Sequence, residues 1–439
     1  MVCDLERGST VTAPSRSRGG PGRYVALVMA MAIVSFGGLV SASPGRASGI
    51  PPEIVAALTP QQLTAYQNYL RVRGAFDRQL EMYWALVEER RGNRRKKYQM
   101  RLAFDVSDYV TEQPPKYTGP PMPADVQAII DRVRPRQPPT ELPSVADFLE
   151  SARTVYGFQP TRTTEKQFKR SYAIEALAAG LTRDQVVRVY ALETGGRGTF
   201  DMQAGIDPDT KKGRPISSAL GYAQLLHANS ISELVKHGDS FIQRLHAMAQ
   251  RADVPGAQRI ALLGKANVLR KMLTQARKVP NEWSAHQALA KTSVGLGIHA
   301  LNLDADIGPW LQVLKLRGLL DTARREAGRT TLTGAELELM NLAGPRTGLE
   351  MMQPIGRTMP TANFFSQQGY YRNTIVREKN GAQLLQAIEE RMEAGLKKPG
   401  SIEFLQAFDE VEAGGARVTP RPRSQEPREP TFGPHTVFR

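Results

Sequence analysis

Glu193 is the residue of this chain whose position best suits acid–base chemistry. It ends an apolar run at residues 186–192 whose spacing indicates a packed helix, and a Thr-Gly-Gly sequence follows at once. A carboxylate carried from a packed helix into a turn is held in position and loses part of its hydration. Because desolvation raises the pKa of a carboxylic acid, such a glutamate keeps its proton near neutral pH and can act as a general acid.

Two later segments carry polar groups suited to holding a polar ligand. The first is Gly-Tyr-Ala-Gln-Leu at residues 221–225, where Gly221 lets backbone approach closely and Gln224 offers an amide. The second is Leu-Met-Asn-Leu-Ala-Gly at residues 339–344, which contains Asn341. From spacing alone, all of these residues also have a structural interpretation. Glu193 could be a surface carboxylate, Tyr222 a packed ring, and Gln224 and Asn341 amides that only close turns.

These segments, in this order, resemble the lysozyme-like lytic transglycosylases of the soluble lytic transglycosylase superfamily. The core pattern of that family is Glu-Ser, then Gly-x-Met-Gln-Leu, then Ala-Tyr-Asn-x-Gly. Here Glu193-Thr194, residues 218–225 and residues 339–345 are similar to the three motifs, and the resemblance covers roughly residues 170–380. It implies that Glu193 is catalytic and that the substrate is bound by the other motif residues, Thr194, Gly221, Tyr222, Gln224 and Asn341.

The chain departs from the family pattern at three places. Thr194 replaces a serine and keeps the hydroxyl, and the segment between the first two motifs carries an insertion at residues 207–213. Met340 stands where the family has a tyrosine whose hydroxyl contacts the catalytic carboxyl, and a thioether cannot donate that hydrogen bond. We therefore expect Tyr370 or Tyr371 to supply a hydroxyl from elsewhere in the chain, and both are counted among the substrate-binding residues.

The resemblance implies cleavage of the MurNAc-β-1,4-GlcNAc bond of peptidoglycan, with 1,6-anhydro-MurNAc ends and no metal or organic cofactor. Glycosidases normally use two carboxylates, so a hydrolytic muramidase is an alternative, with a second carboxylate from the loop acids Asp201, Asp207 or Asp209. A third interpretation is a non-catalytic peptidoglycan-binding scaffold that kept the groove. No metal-ligand spacing connects the histidines His227, His237, His286 and His299.

The elements that must position these residues are predicted to be helices, giving an all-α fold with a lysozyme-like catalytic domain at residues 144–413. Thr182 caps a helix that runs from residue 183 to Glu193, and further helices are expected at residues 255–278, 309–320, 333–342, 381–394 and 401–413. A helical N-terminal region at residues 53–112 precedes a proline-rich connector at residues 113–143, which contains one short helix at residues 125–132. Residues 415–439, rich in proline, are expected to form a disordered basic tail.

The N-terminus indicates export. Residues 25–41 form an apolar run after three arginines, and Val40 and Ala42 suit a cleavage site, so residues 1–42 are predicted to be a signal peptide that directs the chain to the periplasm. An uncleaved inner-membrane anchor is the alternative, and only then would a membrane be a partner. The one cysteine, Cys3, lies inside this segment, so the mature chain would have no disulfide and no thiolate metal site.

The chain is strongly basic, with 58 Lys+Arg against 43 Asp+Glu and a net charge of +15. Basic proteins bind polyanions, but export argues against nucleic acid, and no zinc-finger or RNA-binding motif is present. The expected partners are peptidoglycan glycan strands and, through the N-terminal helical region, other cell-envelope proteins. The densest basic run, residues 89–97, has two interpretations, a solvated helix end or a polymer-binding patch.

Overall fold

The structure is a computed structural model that describes residues 49–135 and 141–414. Helix accounts for 68% of these residues and strand for 2%, without any sheet among them, so the all-α prediction is confirmed. The signal peptide predicted at residues 1–42 and the tail predicted at residues 415–439 lie outside the described residues, as do residues 136–140 of the connector.

The described part of the chain forms seventeen α-helices. The N-terminal helices are α1 Pro52–Ala57, α2 Pro60–Gln99 and α3 Ala124–Val133. The others are α4 Val145–Tyr156, α5 Glu165–Ala178, α6 Arg183–Glu193, α7 His227–Gln250, α8 Gly256–Ala276, α9 Trp283–Ala290, α10 Ser293–His299, α11 Ile307–Ala327, α12 Gly334–Ala343, α13 Pro345–Met352, α14 Pro354–Thr358, α15 Gln367–Arg372, α16 Gly381–Leu396 and α17 Pro399–Ala413. Short 3-10 helices at Val106–Asp108, Ala300–Leu303 and Thr361–Asn363 and a few isolated antiparallel bridges connect them.

The two helices that carry the candidate site both begin at a capping box. At the start of α6, the Thr182 hydroxyl accepts a hydrogen bond from the Gln185 backbone N–H, and the Gln185 side chain accepts one from the Thr182 N–H. Thr333 and Glu336 make the same reciprocal pair at the start of α12. These caps satisfy orphan donors at each N-terminus, which fixes where the helices begin. The prediction of a helix from residue 183 to Glu193 after a Thr182 cap is confirmed.

The helices predicted after residue 255 are also present, with shifted boundaries. The largest shift is at α11, which extends the predicted 309–320 at both ends. At its N-terminus, Pro309 lies in the first turn, where proline's missing N–H is not needed, so the helix can begin before it. Helix α7 was not predicted individually, although it is 24 residues long. Its N-cap residue, Leu226, makes no side-chain cap, so the sequence carries no start signal there.

One hydrophobic core joins the N-terminal helix to the rest of the molecule. The cluster begins with Trp84 and Val87 of α2 and continues to Phe408 and Val411 of α17. Within it α6 packs against α12, α16 and α17, which places the ends of α6 and α12 side by side. Only α1, α3 and the first turns of α2 form a separate small cluster, around Ile54, Leu58 and Val126.

Two arginines of the basic run bind the N-terminal helix to this core. Arg91 donates hydrogen bonds to the carbonyl oxygens of Ala362, Asn363 and Phe365. Arg94, 3% exposed, donates to the carbonyls of Asp108 and Asn363 and to the Glu350 carboxylate, at 2.7–2.8 Å. The interpretation of the run as a solvated helix end or a binding patch is therefore wrong for these two side chains, which satisfy buried backbone acceptors instead.

Candidate active site

Glu193 is the last residue of α6 and is held by a turn that only glycine permits. Five of the residues before it, from Val186 to Ala191, are buried. The next residues include Gly195 and Gly196 at φ +62° and +70°, the left-handed region that favours glycine. A Cβ on Gly196 would lie 2.2 Å from the carbonyl oxygen of Gly395 at the end of α16. Glu193, a residue that is 6% exposed, therefore has its backbone fixed by the helix on one side and by the glycine turn on the other.

Asn341 of α12 meets Glu193 directly. Its side-chain Nδ2 donates a hydrogen bond to Glu193 Oε1 at 3.0 Å, across 148 residues of sequence. Its Oδ1 accepts a hydrogen bond from the ammonium of Lys315 on α11. The amide is therefore oriented from both ends, and the structure brings together the glutamate and the asparagine that the sequence motifs singled out.

A second carboxyl, Glu338, lies in this cluster and was not singled out from the sequence. It is one turn before Asn341 on α12, is 1% exposed, and its two carboxyl oxygens lie 3.3 and 3.4 Å from Asn341 Nδ2. Its side chain is also hydrogen-bonded to that of Glu193. The available signal was a glutamate three residues before Asn341 in an otherwise apolar helix, a spacing that places both on one helix face.

Burial and charge shift the ionisation of this cluster. Burial raises the pKa of Glu193 from 4.5 to about 7, against the lowering effects of the Glu338 hydrogen bond and the Lys315 charge. Burial and the charge of Glu193 raise the pKa of Glu338 well above its usual range. Burial lowers the pKa of Lys315, which nearby carboxylates partly offset. A carboxyl that is half protonated near pH 7 is suited to act as both acid and base.

The tyrosines expected to replace the missing hydroxyl at Met340 lie elsewhere. Met340 is fully buried against Gly348 of α13. Tyr370 accepts a hydrogen bond from the Glu378 backbone N–H at 2.8 Å, and its ring and that of Tyr371 pack edge-on against Trp84. Among the described contacts neither hydroxyl is hydrogen-bonded to Glu193, because both rings pack against Trp84 of α2. Glu338 makes the side-chain contact to Glu193 instead.

The second motif forms a tight turn whose side chains point into the protein. Gly221 and Gln224 have φ of +74° and +41°, and a backbone bridge joins Leu220 to Leu225. The Gln224 amide donates to the carbonyls of Gly221 and Met202 at 2.8 and 3.3 Å, so it closes the turn. A Cβ on Gly221 would lie 2.4 Å from the Gln312 side chain, so glycine is needed for close packing as well as for its φ.

Tyr222 and Thr194 are structural in their contacts. The Tyr222 hydroxyl donates to Glu165 Oε2 at 2.6 Å, and its ring, 1% exposed, packs on Tyr190 and Phe404. Thr194 donates to the Tyr190 carbonyl at 2.7 Å and closes the end of α6. The expected binding side chains Thr194, Tyr222 and Gln224 are therefore buried on protein partners: Thr194 closes the end of α6, Tyr222 bonds Glu165, and Gln224 closes the Gly221 turn.

The three loop aspartates have partners of their own. Asp201 is bound by Arg162 at 2.9 Å and Asp209 by Arg197 at 2.8 Å. Asp207 accepts hydrogen bonds from the backbone N–H groups of Asp209 and Thr210, which forms the turn that its Asp-Pro-Asp sequence favours. Hydrogen bonds to Thr199 and Arg162 and the charge of Lys211 lower the pKa of Asp201, although burial opposes them. None of the three shares a hydrogen bond with Glu193.

Among the described residues, no group of three or more His, Cys, Asp and Glu side chains is arranged to hold a metal ion. The helices in the described ranges include none with the length and apolar character to cross a membrane. Comparisons with family models, with curated proteins and with solved structures found no match to this chain.

Proposed function

We propose that this chain is a lytic transglycosylase with a lysozyme-like domain, and that it cleaves the MurNAc-β-1,4-GlcNAc bond of peptidoglycan. The observation that carries the proposal is the hydrogen bond between Asn341 and Glu193. These residues come from the first and third sequence motifs, 148 residues apart, and a chance similarity of short motifs gives no reason for their side chains to meet.

The raised pKa of Glu193 supports its assignment as the acid and base. With a pKa of about 7, it carries a proton in a large part of the molecules at neutral pH. Glu193 protonates the oxygen that leaves C1 of MurNAc, and the N-acetyl oxygen of the sugar stabilises the developing cation. The ionised Glu193 then takes the proton from the C6 hydroxyl as that oxygen bonds to C1. The product is a 1,6-anhydro end, and no water is consumed.

Asn341 and Lys315 keep the carboxyl ready for both steps. The amide of Asn341 holds one carboxyl oxygen in place, and the nearby ammonium of Lys315 stabilises the anion that forms when the proton leaves. The ion pairs of Asp201 and Asp209 and the turn made by Asp207 argue against these residues as the second carboxylate of a muramidase.

The proposed location is the periplasm, reached through a signal peptide at residues 1–42, with glycan strands as the substrate. We propose that the N-terminal helical region contacts other cell-envelope proteins. Its helix α2 supports this in that Met82 is 73% exposed and Leu86 39% exposed, midway along its length.

Replacement of Glu193 tests the activity. Glu193→Gln keeps the shape of the side chain and the contact with Asn341 but cannot transfer a proton. We expect purified sacculi to be digested by the wild type to anhydro ends, and turnover by the variant to fall on the order of 10²–10⁴-fold. Mass spectrometry of the released fragments measures both, because an anhydro end is one water lighter than a hydrolysed end.

Asp201→Asn and Asp209→Asn are the matched controls, since each also removes one carboxylate from this region, and both should stay active. Hydrolysed ends together with a large loss at one of these aspartates would instead identify a muramidase. A wild type that binds sacculi and releases nothing would identify a scaffold.

A further inference from the structure

We propose that Glu338 is a positioning residue that keeps its own proton and donates a hydrogen bond to Glu193. The contact itself is independent of any reaction, while its effect on turnover rests on the proposed function. In this arrangement the two carboxyls form one unit that ionises only at Glu193.

The geometry requires a shared proton. Asn341 Nδ2 contacts both buried carboxyls, at 3.0 Å from Glu193 and 3.3–3.4 Å from Glu338, so one amide brings the two side chains within hydrogen-bonding reach of each other. Two ionised carboxylates have only acceptor oxygens and repel each other. One of the pair must therefore be a carboxylic acid whose O–H points at the other.

Glu338 is the member that keeps the proton. Glu193 has the shorter contact with the Asn341 amide, which favours its anion. Glu338 is the more buried of the two, at 1% against 6% exposed, and loses more hydration as an anion. The pKa of Glu338, raised well above its usual range by burial and by the charge of Glu193, agrees with this order.

The charges on the neighbouring helices balance only if one carboxyl of the pair is neutral. Lys315 of α11 lies close enough to Glu193, Glu338 and Glu233 of α7 for the charges of all three to raise its pKa, against burial. Glu233 is also bound by Lys236 at 3.0 Å and approached by His237 at 3.5 Å. Lys236 and Lys315 then balance Glu233 and one further anion, which is Glu193, so an ionised Glu338 would have no cation of its own among the residues that the structure describes.

The hydrogen bond has a chemical consequence at Glu193. It stabilises the carboxylate over the acid, so it makes Glu193 a stronger acid than burial alone would allow. In the proposed reaction, the proton of Glu338 stays on Glu338 throughout. The proton that moves is that of Glu193, and the bond from Glu338 strengthens as the negative charge develops.

Two variants of Glu338 test the assignment. Glu338→Gln is neutral, keeps a donor for Glu193 and keeps an acceptor for Asn341. Glu338→Met has similar length but no donor. The first readout is the titration of Glu193 in substrate-free protein labelled with ¹³C at the Glu carboxyls, followed by NMR and assigned by its loss in Glu193→Gln. The second readout is the pH–rate profile on sacculi.

We expect Glu338→Gln to titrate like the wild type, with the Glu193 pKa near 7, and to keep most of the turnover. In Glu338→Met the Glu193 pKa should move upward, and turnover should fall about tenfold to hundredfold, which corresponds to one lost hydrogen bond to a charged group. A merely structural Glu338 would shift neither the titration nor the pH–rate profile.

Two results would overturn the proposal. One is a marked fall of the Glu193 pKa in Glu338→Gln, which would mean that Glu338 is ionised in the wild type. The other is an unchanged titration in Glu338→Met, and if that variant does not fold, the Gln variant still decides. Because the titration uses no glycan, failure of the proposed function appears separately, as the expected titration in a protein that releases no anhydro ends.

Discussion

Two buried glutamates near Lys315, Glu193 and Glu233, illustrate how neighbouring charges decide whether a buried carboxyl is ionised. Glu193 and Glu233 are 6% and 4% exposed, so burial raises the pKa of both. For Glu233, Lys236 and His237 overcome that effect and lower its pKa to about 2. For Glu193, no cation of the described residues forms a direct ion pair, and its pKa rises to about 7. Similar burial therefore produces a permanent anion at one residue and a titrating acid at the other.

Glu193 should make the protein less stable as pH rises. Its pKa is 4.5 when unperturbed and about 7 in the fold, so between these values the folded state holds a proton that the unfolded state has lost. The free energy of unfolding should fall across this interval, by roughly 3 kcal/mol in total. Glu193→Gln removes the effect, so its urea denaturation at pH 8 should show higher stability than the wild type, with little difference at pH 4.

Glu233→Gln is the control, and its effect on stability should have the opposite sign. Its pKa is lowered in the fold, so it contributes stability above pH 4.5 that is lost as pH falls toward 2. That variant should be less stable than the wild type at pH 7. Equal stability of Glu193→Gln and the wild type at pH 8 would contradict the raised pKa of Glu193.

At the scale of elements, the long helix α2 is joined to the rest of the fold by arginine side chains as well as by apolar packing. Arg94 lies over the Tyr109 ring, 4.3 Å from its centroid, and bonds two backbone carbonyls and the Glu350 carboxylate. Two of these acceptors, Glu350 and Asn363, lie 256 and 269 residues from Arg94 in sequence, and Asp108 lies 14 residues from it. One planar guanidinium thus joins three segments of the chain.

Removal of Arg94 should be costly. Arg94→Ala removes the arginine partner of the Glu350 carboxylate and of the buried Asp108 carbonyl, while the Asn363 carbonyl keeps its hydrogen bonds from Arg91. Breaking a buried charged pair in this way typically destabilises by about 3–5 kcal/mol. Urea denaturation followed by circular dichroism measures the loss. Arg95→Ala, at the exposed neighbouring position, is the matched control and should change stability by less than about 0.5 kcal/mol. Similar losses of stability in the two variants would show that the Arg94 contacts do not hold α2 to the rest of the fold.

At the scale of the whole molecule, one continuous core runs from Trp84 on α2 to Val411 on α17. Elements that share a core usually unfold together, so the second half of α2 should not be a separate unit from the candidate catalytic domain. The tryptophans report on this, because Trp84 lies on α2 and the other two, Trp283 and Trp310, lie on α9 and α11.

Coincident unfolding is the expected result. In a variant with Trp283→Phe and Trp310→Phe, only Trp84 fluoresces, and its urea transition should coincide with the loss of helical circular dichroism in the same protein. Both transitions are measured in the same variant, so any destabilisation by the two substitutions affects both and does not change the comparison. A Trp84 transition at clearly lower urea than the main loss of helix would show that the N-terminal region unfolds independently.

The sequence by itself determined the helical class and the boundaries of helices that carry local signals. Thr182 and Thr333 start α6 and α12 because a capping box involves residues only three apart. The Thr-Gly-Gly turn after Glu193 could also be predicted, because its signal lies in consecutive residues. Motif order along the chain also singles out Glu193 and Asn341.

Only the tertiary structure decided which side chains surround Glu193. Glu338 reaches it because α6 and α12 pack side by side, whereas the rings of Tyr370 and Tyr371 are held against Trp84 on α2. Tyr222 and Gln224 point inward because the turn at Gly221 is buried against Gln312. These contacts join segments far apart in sequence, and their partners depend on which helix faces meet in the core. No local rule of spacing or capping specifies that choice.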